Sequence, residues 1–277
     1  MNLNNTNLYI PGMQINQHFQ LQFESSDIGS QQLFVPDGLL AIIYLHKGSF
    51  SLQGESKINT YHGPDLLYTI YLNPHMVLPH TECEFYGLTI YPLLGGDISH
   101  DIKYIHDGFI SCKDLAPKNA RTLLDRLAHE TDPSRIQSIL QACAYEPLRA
   151  ESKISSAVSR VNHVLSHIKK NASSLAVSDL ADYSNASLRT LQKDFKDYLG
   201  ISIKECINLY KFNTFRKSLH QGFEDRLYHL AYDTGYYDQS HLVRHFKRYT
   251  GISPKTYLTN QIGMDMAHSF YFKDLGV

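Results

Sequence analysis

Apolar residues recur at i, i+3 and i+4 in two places fifty positions apart, Val177, Leu180, Ala181 and Leu227, Leu230, Ala231. Each group predicts a short helix with a narrow buried stripe, its alanine suited to a close helix crossing. Asn185 and Gly235 follow, the residue types that best tolerate the left-handed backbone of a tight turn. A longer amphipathic helix comes next, with Leu188, Leu191, Phe195 and Leu199 inward in the first copy and Leu242, Phe246 and Tyr249 in the second. Ser187 and Asp238 are its N-cap candidates, and Gly200 and Gly251 its stops. A further helix starts at once after each stop: Ser202 with Glu205 has a capping-box pattern, and Ser253-Pro254 puts proline at the first helical position. Short helix, tight turn, longer helix is a helix-turn-helix, present twice. The copies share Phe-Lys-x-Tyr-x-Gly-Ile-Ser at 195–202 and 246–253, six of eight residues identical at an offset of 51, against 50 upstream. The second copy therefore has one extra residue between the turn and the longer helix, where an insertion does least harm.

The N-terminal half has a different texture. The stretches 32–36, 39–46, 49–53, 66–72 and 84–91 are rich in Leu, Ile, Tyr and Phe, with Pro36, Gly38, Gly48, Gly54, Gly63, Pro64, Pro74 and Pro92 between them. Short strands with turn signals at this spacing predict a small β-barrel or sandwich. After Lys113 the period becomes helical. Ala120, Leu123, Leu124, Leu127 and Ala128 lie on one face and Ile136, Ile139, Leu140, Cys143 and Ala144 on the next, with a break at Asp132-Pro133-Ser134. Two such helices either cover the barrel or form a dimer interface, and the stretch from Glu146-Pro147 to Lys153 reads as the linker to the C-terminal half.

Charge divides the chain at the same place. Residues 152–262 hold 16 Lys and Arg against 9 Asp and Glu, whereas residues 1–151 hold 9 against 16. A chain of net charge −1 thus hides a basic half suited to a polyanion and an acidic half that should stay away from DNA. With 277 residues, 43% of them hydrophobic, there is material for two cores. No apolar run approaches a membrane span and the N-terminus is polar and rich in Asn, so secretion and membrane anchoring are not expected and a cytoplasmic location is. The four cysteines, Cys83, Cys112, Cys143 and Cys206, have neither Cys-x-x-Cys nor zinc spacing and read as reduced thiols.

On the longer helix of the first copy, Arg189, Gln192, Lys193 and Lys196 form a second, basic face; in the second copy Ser240, Val243, Arg244 and Lys247 do so, with His241 beside them. One such face is ordinarily a solvated surface. Two copies with matching caps, turns and basic faces favour nucleic acid, with Arg or Gln near the N-terminal half reading base edges and the later cations meeting phosphate.

The run from Leu230 to Arg248, Leu-Ala-Tyr-Asp-Thr-Gly-Tyr-Tyr-Asp-Gln-Ser-His-Leu-Val-Arg-His-Phe-Lys-Arg, and the following Gly251-Ile252-Ser253-Pro254-Lys255-Thr256-Tyr257 resemble the signature of the AraC/XylS family of bacterial transcription regulators. The resemblance covers about 154–260. It implies seven helices, with two helix-turn-helix units either side of a linker helix, entering successive major-groove faces about 10 bp apart. It puts base contacts at Arg189, Gln192 and Lys193 in the first unit and at Ser240, His241 and Arg244 in the second, with phosphate contacts at Lys196, Lys247 and Arg248. One departure stands out. The linker helix, about 203–221, usually carries Arg with Ala four residues on, and here has Lys211 and Phe215, which leaves the relative setting of the units open. Phe34-Val35-Pro36-Asp37-Gly38 and the run Tyr86–Pro92 are similar to the cupin-like sensor domain common in the family.

The fold expected is α+β, with a cupin-like β-barrel sensor at 1–112, a helical dimerisation or linker segment at 113–150 and a DNA-binding domain at 151–262. Cupin enzymes hold metal through His-x-His, a later Glu and a distant His. There is no His-x-His here, and His75, His80, Glu82 and Glu84 are the nearest approach, so no metal or other cofactor is expected. Nor is there a nucleophile elbow or phosphate loop, and an enzyme is not expected. Nineteen Tyr and thirteen Phe could line a pocket for a small organic effector, with Tyr44, Tyr68, Tyr71, Tyr86 and His46 as candidates that are equally ordinary core residues. The partners expected are double-stranded promoter DNA, RNA polymerase, a second copy of the chain and a small-molecule effector. The competing readings are a metal-binding cupin enzyme fused to a DNA-binding domain, and a regulator without ligand controlled by a protein partner.

Overall fold

The structure is a computed structural model. It describes residues 15–34, 40–54, 57–70, 75–90, 108–114, 120–150, 156–220 and 231–259. Val35 to Gly38, Tyr71, Pro74, Tyr91, Pro92, Leu227 and Leu230 lie outside them, as do the side chains of Cys143 and Ala144.

The architecture is α+β. Nine strands form two antiparallel sheets: β1 (Ile15–Phe23), β2 (Gln32–Phe34), β3 (Leu40–Lys47), β4 (Ser49–Gln53), β5 (Ile58–His62), β6 (Asp65–Ile70), β7 (His75–Pro79), β8 (Cys83–Ile90) and β9 (Ile110–Ser111). One sheet runs β1-β8-β3-β6-β9 and the other β2-β7-β4-β5. Among the described residues the sheets do not close hydrogen bond by hydrogen bond into a barrel; they face each other as a sandwich. Phe19, Phe23, Ile43, Leu45, Phe50, Leu52, Tyr61, Val77, Phe85 and Phe109 meet between them. The interior is aromatic and closely interlocked: Phe50 stacks on Tyr61 with centroids 5.2 Å apart and meets Phe85 and Phe109 edge-on at 5.3 and 5.8 Å. Gly87 sits opposite Phe19 across the β1–β8 pair, and a Cβ there would lie 2.2 Å from the Phe19 ring, so only glycine lets that ring lie across the strand.

Strand β3 is buried on both faces. Ala41, Ile43 and Leu45 enter the sandwich, while Ile42 and Tyr44, pointing the other way, are 0% exposed as well. That outer face is covered by α1 (Ala120–Ala128) and α2 (Pro133–Ala150), whose Leu123, Leu124, Leu127, Ile136 and Leu140 are buried. Gln137 ties α2 down, donating to the Phe19 carbonyl at 2.9 Å with its Oε1 3.0 Å from His18 Nδ1. The break at Asp132-Pro133-Ser134 is as the sequence predicts: Asp132 accepts from the Ser134 amide at 2.8 Å and proline opens the helix. The buried part of the two apolar faces thus covers the sheet, while Ala128 is exposed and Ile139 half-buried. Helix α2 also continues through Glu146 and Pro147 to Ala150, so the first five residues of the expected linker are helical.

The C-terminal half is helical: α3 (Ser156–Asn171), α4 (Asp179–Ser184), α5 (Leu188–Leu199), α6 (Ile203–His220), a helical segment at 231–233, α7 (Gln239–Thr250) and α8 (Pro254–Thr259). It has two cores. Val161, Val164, Leu165, Ile168, Leu180, Leu191, Phe195 and Leu199 build the first, and Leu209, Phe212, Phe215, Tyr236, Leu242, Phe246 and Tyr249 the second. Helix α6 serves both, giving Ile203, Cys206 and Ile207 to one and Leu209, Phe212, Phe215 and Leu219 to the other. Phe215, where the family usually has alanine, is a core residue packed edge-on against Tyr236 and Phe246.

Candidate nucleic-acid interface

Each unit is built by local rules that both copies obey. Helix α4 ends at Asn185 with φ 51°, and the second turn passes through Gly235 with φ 82°. In the first unit one residue, Ala186, separates the turn from the N-cap Ser187, whose hydroxyl accepts from the Thr190 amide at 3.1 Å. In the second unit Tyr236 and Tyr237 separate Gly235 from Asp238, which accepts from the His241 amide at 2.7 Å. The extra residue predicted by the change of offset is there. Both longer helices then stop at a left-handed glycine, Gly200 at φ 69° and Gly251 at φ 77°. Ser202 and Glu205 form a reciprocal capping box, with Ser202 N–Glu205 Oε2 at 2.9 Å and Glu205 N–Ser202 Oγ at 3.2 Å. Donation from the Ser202 amide, with burial opposing, and from the Ser202 hydroxyl holds the Glu205 carboxyl below its usual value, helped by Arg248 and Lys196.

Arg189, Gln192, Lys193 and Lys196 are all exposed on α5, while Leu191, Phe195 and Leu199 are buried. On α7, Ser240, His241, Arg244, Lys247 and Arg248 are exposed, and Leu242, Phe246 and Tyr249 are buried. Each helix therefore turns one polar row outward. Two of the cations have partners in the free protein. The Lys196 ammonium donates to the Gly200 carbonyl at 2.8 Å, and Arg248 lies 3.7 Å from Glu205 and 5.9 Å above the Tyr249 ring. Both arrangements are exposed and are worth little against a phosphate.

Sequence reasoning missed the polar residues on the inner sides of these helices. Asp194, 7% exposed, receives both Arg160 Nε at 2.8 Å and Nη2 at 2.7 Å, which clamps α5 onto α3. On α7, His245 is buried beside Tyr236, with the hydroxyl 3.1 Å from Nδ1. Burial, then repulsion from His241, Arg248 and Lys211, pushes its pKa down to about 4, so it is neutral at ordinary pH. Tyr183 stacks on His163 at 4.4 Å and on His167 at 3.8 Å, fastening α4 to α3.

The setting of the two units, left open by Lys211 and Phe215, rests on α6 and on one close approach. A Cβ on Gly235 would stand 1.9 Å from the Ser173 carbonyl oxygen, so the second turn lies directly against the segment joining α3 and α4. Lys211 Nζ donates to the Gly235 carbonyl at 3.3 Å from within α6, its pKa lowered by burial.

In the N-terminal half the candidate effector residues Tyr44, Tyr68 and Tyr86 are buried. Tyr44 stands directly opposite Tyr86 across the β3–β8 pair, on the sheet face turned away from the sandwich core. Tyr86 donates to Glu84, and Tyr44 Oη is 3.3 Å from His46 Nδ1. Burial pushes the Tyr44 hydroxyl up to about 12. Burial resists charge on Glu84, but bonds from Tyr86 and Gln22 together with His46 and Lys47 outweigh it and keep the carboxyl below its usual value. Inside the sandwich the residual void, lined by Phe19, Phe50, Phe85 and Phe109 among others, is only about 10 Å³. His75, His80, Glu82 and Glu84 do not converge: His80 bonds Ser51 at 2.7 Å, Glu82 accepts from Ser25, and no group of three or more His, Cys, Asp or Glu able to hold a metal occurs among the described residues. Cys83, Cys112 and Cys206 are buried free thiols. No helix among the described residues is long and apolar enough to cross a membrane.

A family model described as "Helix-turn-helix domain" matches residues 180–260. The transcriptional regulatory protein HptR of Staphylococcus aureus is 29% identical over 98 residues, 35% of this chain and 38% of its own length. The HTH-type transcriptional activator RhaS of Escherichia fergusonii is 28% identical over 97 residues, 35% of this chain and 34% of its own. The chain thus spans a little over a third of the length of these relatives. Among solved structures, apo ToxT from Vibrio cholerae aligns over 88% of this chain and 97% of its own with a TM-score of 0.51 at 13% identity. ToxT with a bound unsaturated fatty acid aligns over 88% and 95% with a TM-score of 0.50 at 14% identity. At these identities the likeness to ToxT is one of fold. It extends across both halves, while the family match is confined to residues 180–260, the helix-turn-helix region, which is similar to that of AraC/XylS-type transcription regulators.

Proposed function

We propose that the chain is a sequence-specific transcription regulator that binds promoter DNA through both helix-turn-helix units. The observation that carries this reading is the pair of exposed polar rows on α5 and α7, held by the same caps and turns at an offset of 51 residues. Arg189, Gln192 and Lys193 read bases in one major-groove segment and Ser240, His241 and Arg244 in the next, while Lys196, Lys247 and Arg248 take phosphates. Activation follows the printed role of RhaS, with RNA polymerase as the partner proposed for it. The working division is 1–112, 113–150 and 151–262. The N-terminal part controls the DNA-binding part by pairing with a second copy or by binding a small effector, which would act by favouring one arrangement of the halves. The described sandwich interior is filled, so an effector entering there would repack it, whereas an open groove among the described residues is lined by Thr122, Asp125, Arg126, His129, Glu130 and Ile139 on and between α1 and α2. The binding of an unsaturated fatty acid by ToxT is a property of that protein; it makes lipophilic acids a first class of compound to screen.

The test replaces one reader in each unit. Arg189→Ala and Arg244→Ala should each weaken a specific site and relax base preference in one half-site only. Unchanged affinity and preference for both variants would refute the assignment of α5 and α7 as the reading helices.

A further inference from the structure

The second unit carries a residue that the first lacks. Between the turn and the N-cap the first unit has Ala186 alone, while the second has Tyr236 and Tyr237. Tyr236 goes inward, 3% exposed, into the second core. Tyr237 is 92% exposed, more than any other large hydrophobic residue among those described. A ring so placed gives the fold almost nothing. It stands next to Asp238, one residue before the first turn of α7, and three residues before Ser240, on the end of the helix that bears the exposed His241 and Arg244.

Resting on the reading of α7 as a groove-reading helix, we propose that Tyr237 is a DNA-backbone contact peculiar to the second unit: its hydroxyl donates to a phosphate at the groove edge and its ring lies against the adjoining deoxyribose. The dimensions fit. A major groove is about 12 Å wide, so its phosphate wall is about 6 Å from a helix at its centre. The extended N-cap Asp238 and the long tyrosine side chain together carry the hydroxyl from the start of α7 toward that wall while Ser240 faces the bases. The chemistry fits as well: tyrosine is a neutral donor of the kind that fixes register on the duplex without reading sequence. Arg244, in the second turn of α7, and the amide end of that helix favour a polyanion here, against the Asp238 carboxylate that caps it. The inserted residue therefore makes the units unequal, the second holding its half-site in place more firmly than the first.

The test uses full-length protein, a genomic fragment that it selects, and a random duplex of the same length. Tyr237→Phe removes only the hydroxyl, and should lower affinity for both duplexes about threefold to tenfold, with the salt slope unchanged because no counterion is released by a neutral donor. Tyr237→Ala should lower it further, and neither variant should alter thermal stability, given the exposure of the side chain. If both variants bind like the parent while Arg244→Ala fails on the selected fragment, Tyr237 is no contact and the reading of α7 survives. A loss confined to the selected fragment would make Tyr237 a base reader and overturn the backbone assignment. If Arg244→Ala also binds like the parent, the reading of α7 fails and the proposal with it.

Discussion

On the proposed reading, arginine and lysine on one exposed helix face do different things, and variants separate them. Arg189→Ala or Arg244→Ala should cost about 1–3 kcal/mol on a specific site, whereas Lys196→Ala should weaken all DNA evenly and lower the salt slope by about one. Filter binding of specific and random duplexes at several salt concentrations measures both, and equal losses from all three variants would erase the distinction. His245 carries a second prediction at this scale. Its folded-state pKa, about 4, is below the ordinary 6.5, so the folded state resists protonation that the unfolded chain accepts. Stability is therefore full above about pH 6.5 and falls as pH drops through 4, by up to about 3 kcal/mol over the whole window. Protonation would also fix Nδ1 as a donor toward the Tyr236 hydroxyl. Urea unfolding of the protein at pH 7.5 and pH 5 should show the loss, and His245→Asn should lessen it; an identical acid loss in the variant would place the effect elsewhere. Neither His245 nor Asp194 was legible as a buried polar residue from the sequence, where each reads as one more polar position on an amphipathic helix. The partner of Asp194, Arg160, lies on α3, beyond the reach of helical periodicity.

Elements are where the sequence was most legible, because caps and turns are local. Asn185, Ser187, Gly200, Asp238 and Gly251 occupy the expected positions, each for a reason that a few neighbouring residues fix. The glycines differ in a way that only the structure reveals. Both Gly235 and Gly251 have positive φ, yet a Cβ at Gly251 meets nothing within 4 Å, while one at Gly235 would strike the Ser173 backbone. Gly251→Ala should therefore cost only the left-handed strain, about 1–2 kcal/mol. Gly235→Ala should cost at least twice that, since backbone rather than a pliable side chain must move. Thermal unfolding of both variants checks the order, and equal costs would deny the close approach of the two units. The strands were less legible. β3, β4, β6 and β8 fall close to expectation, but β1, β5, β7 and β9 were not anticipated. β5 is Ile-Asn-Thr-Tyr-His and mostly exposed, and β9 has two residues; both owe their strand form to their partners β4 and β6 rather than to an apolar run. β1 alternates Phe19, Leu21 and Phe23 inward among glutamines, a period of two concealed by its polarity.

The whole molecule joins an acidic sheet-rich half to a basic helical half, and the charge asymmetry points to the same half that the helix-turn-helix match covers. What it could not foretell is how the two reading units are set. Helix α6 enters both cores, Phe215 fills the second, and Gly235 abuts Ser173, so the units are coupled through packed backbone as well as through a shared helix. The residues that replace the usual Arg and Ala of the linker helix thus have structural work: Lys211 bonds the second turn and Phe215 packs beneath it. The central claim, that both units read DNA together, is tested most directly by selecting bound fragments from the source genome with full-length protein at two salt concentrations. The account predicts a motif of two short elements about 10 bp apart, centre to centre, retained at the higher salt. A single element, or binding that is lost with salt and shows no motif, would contradict it.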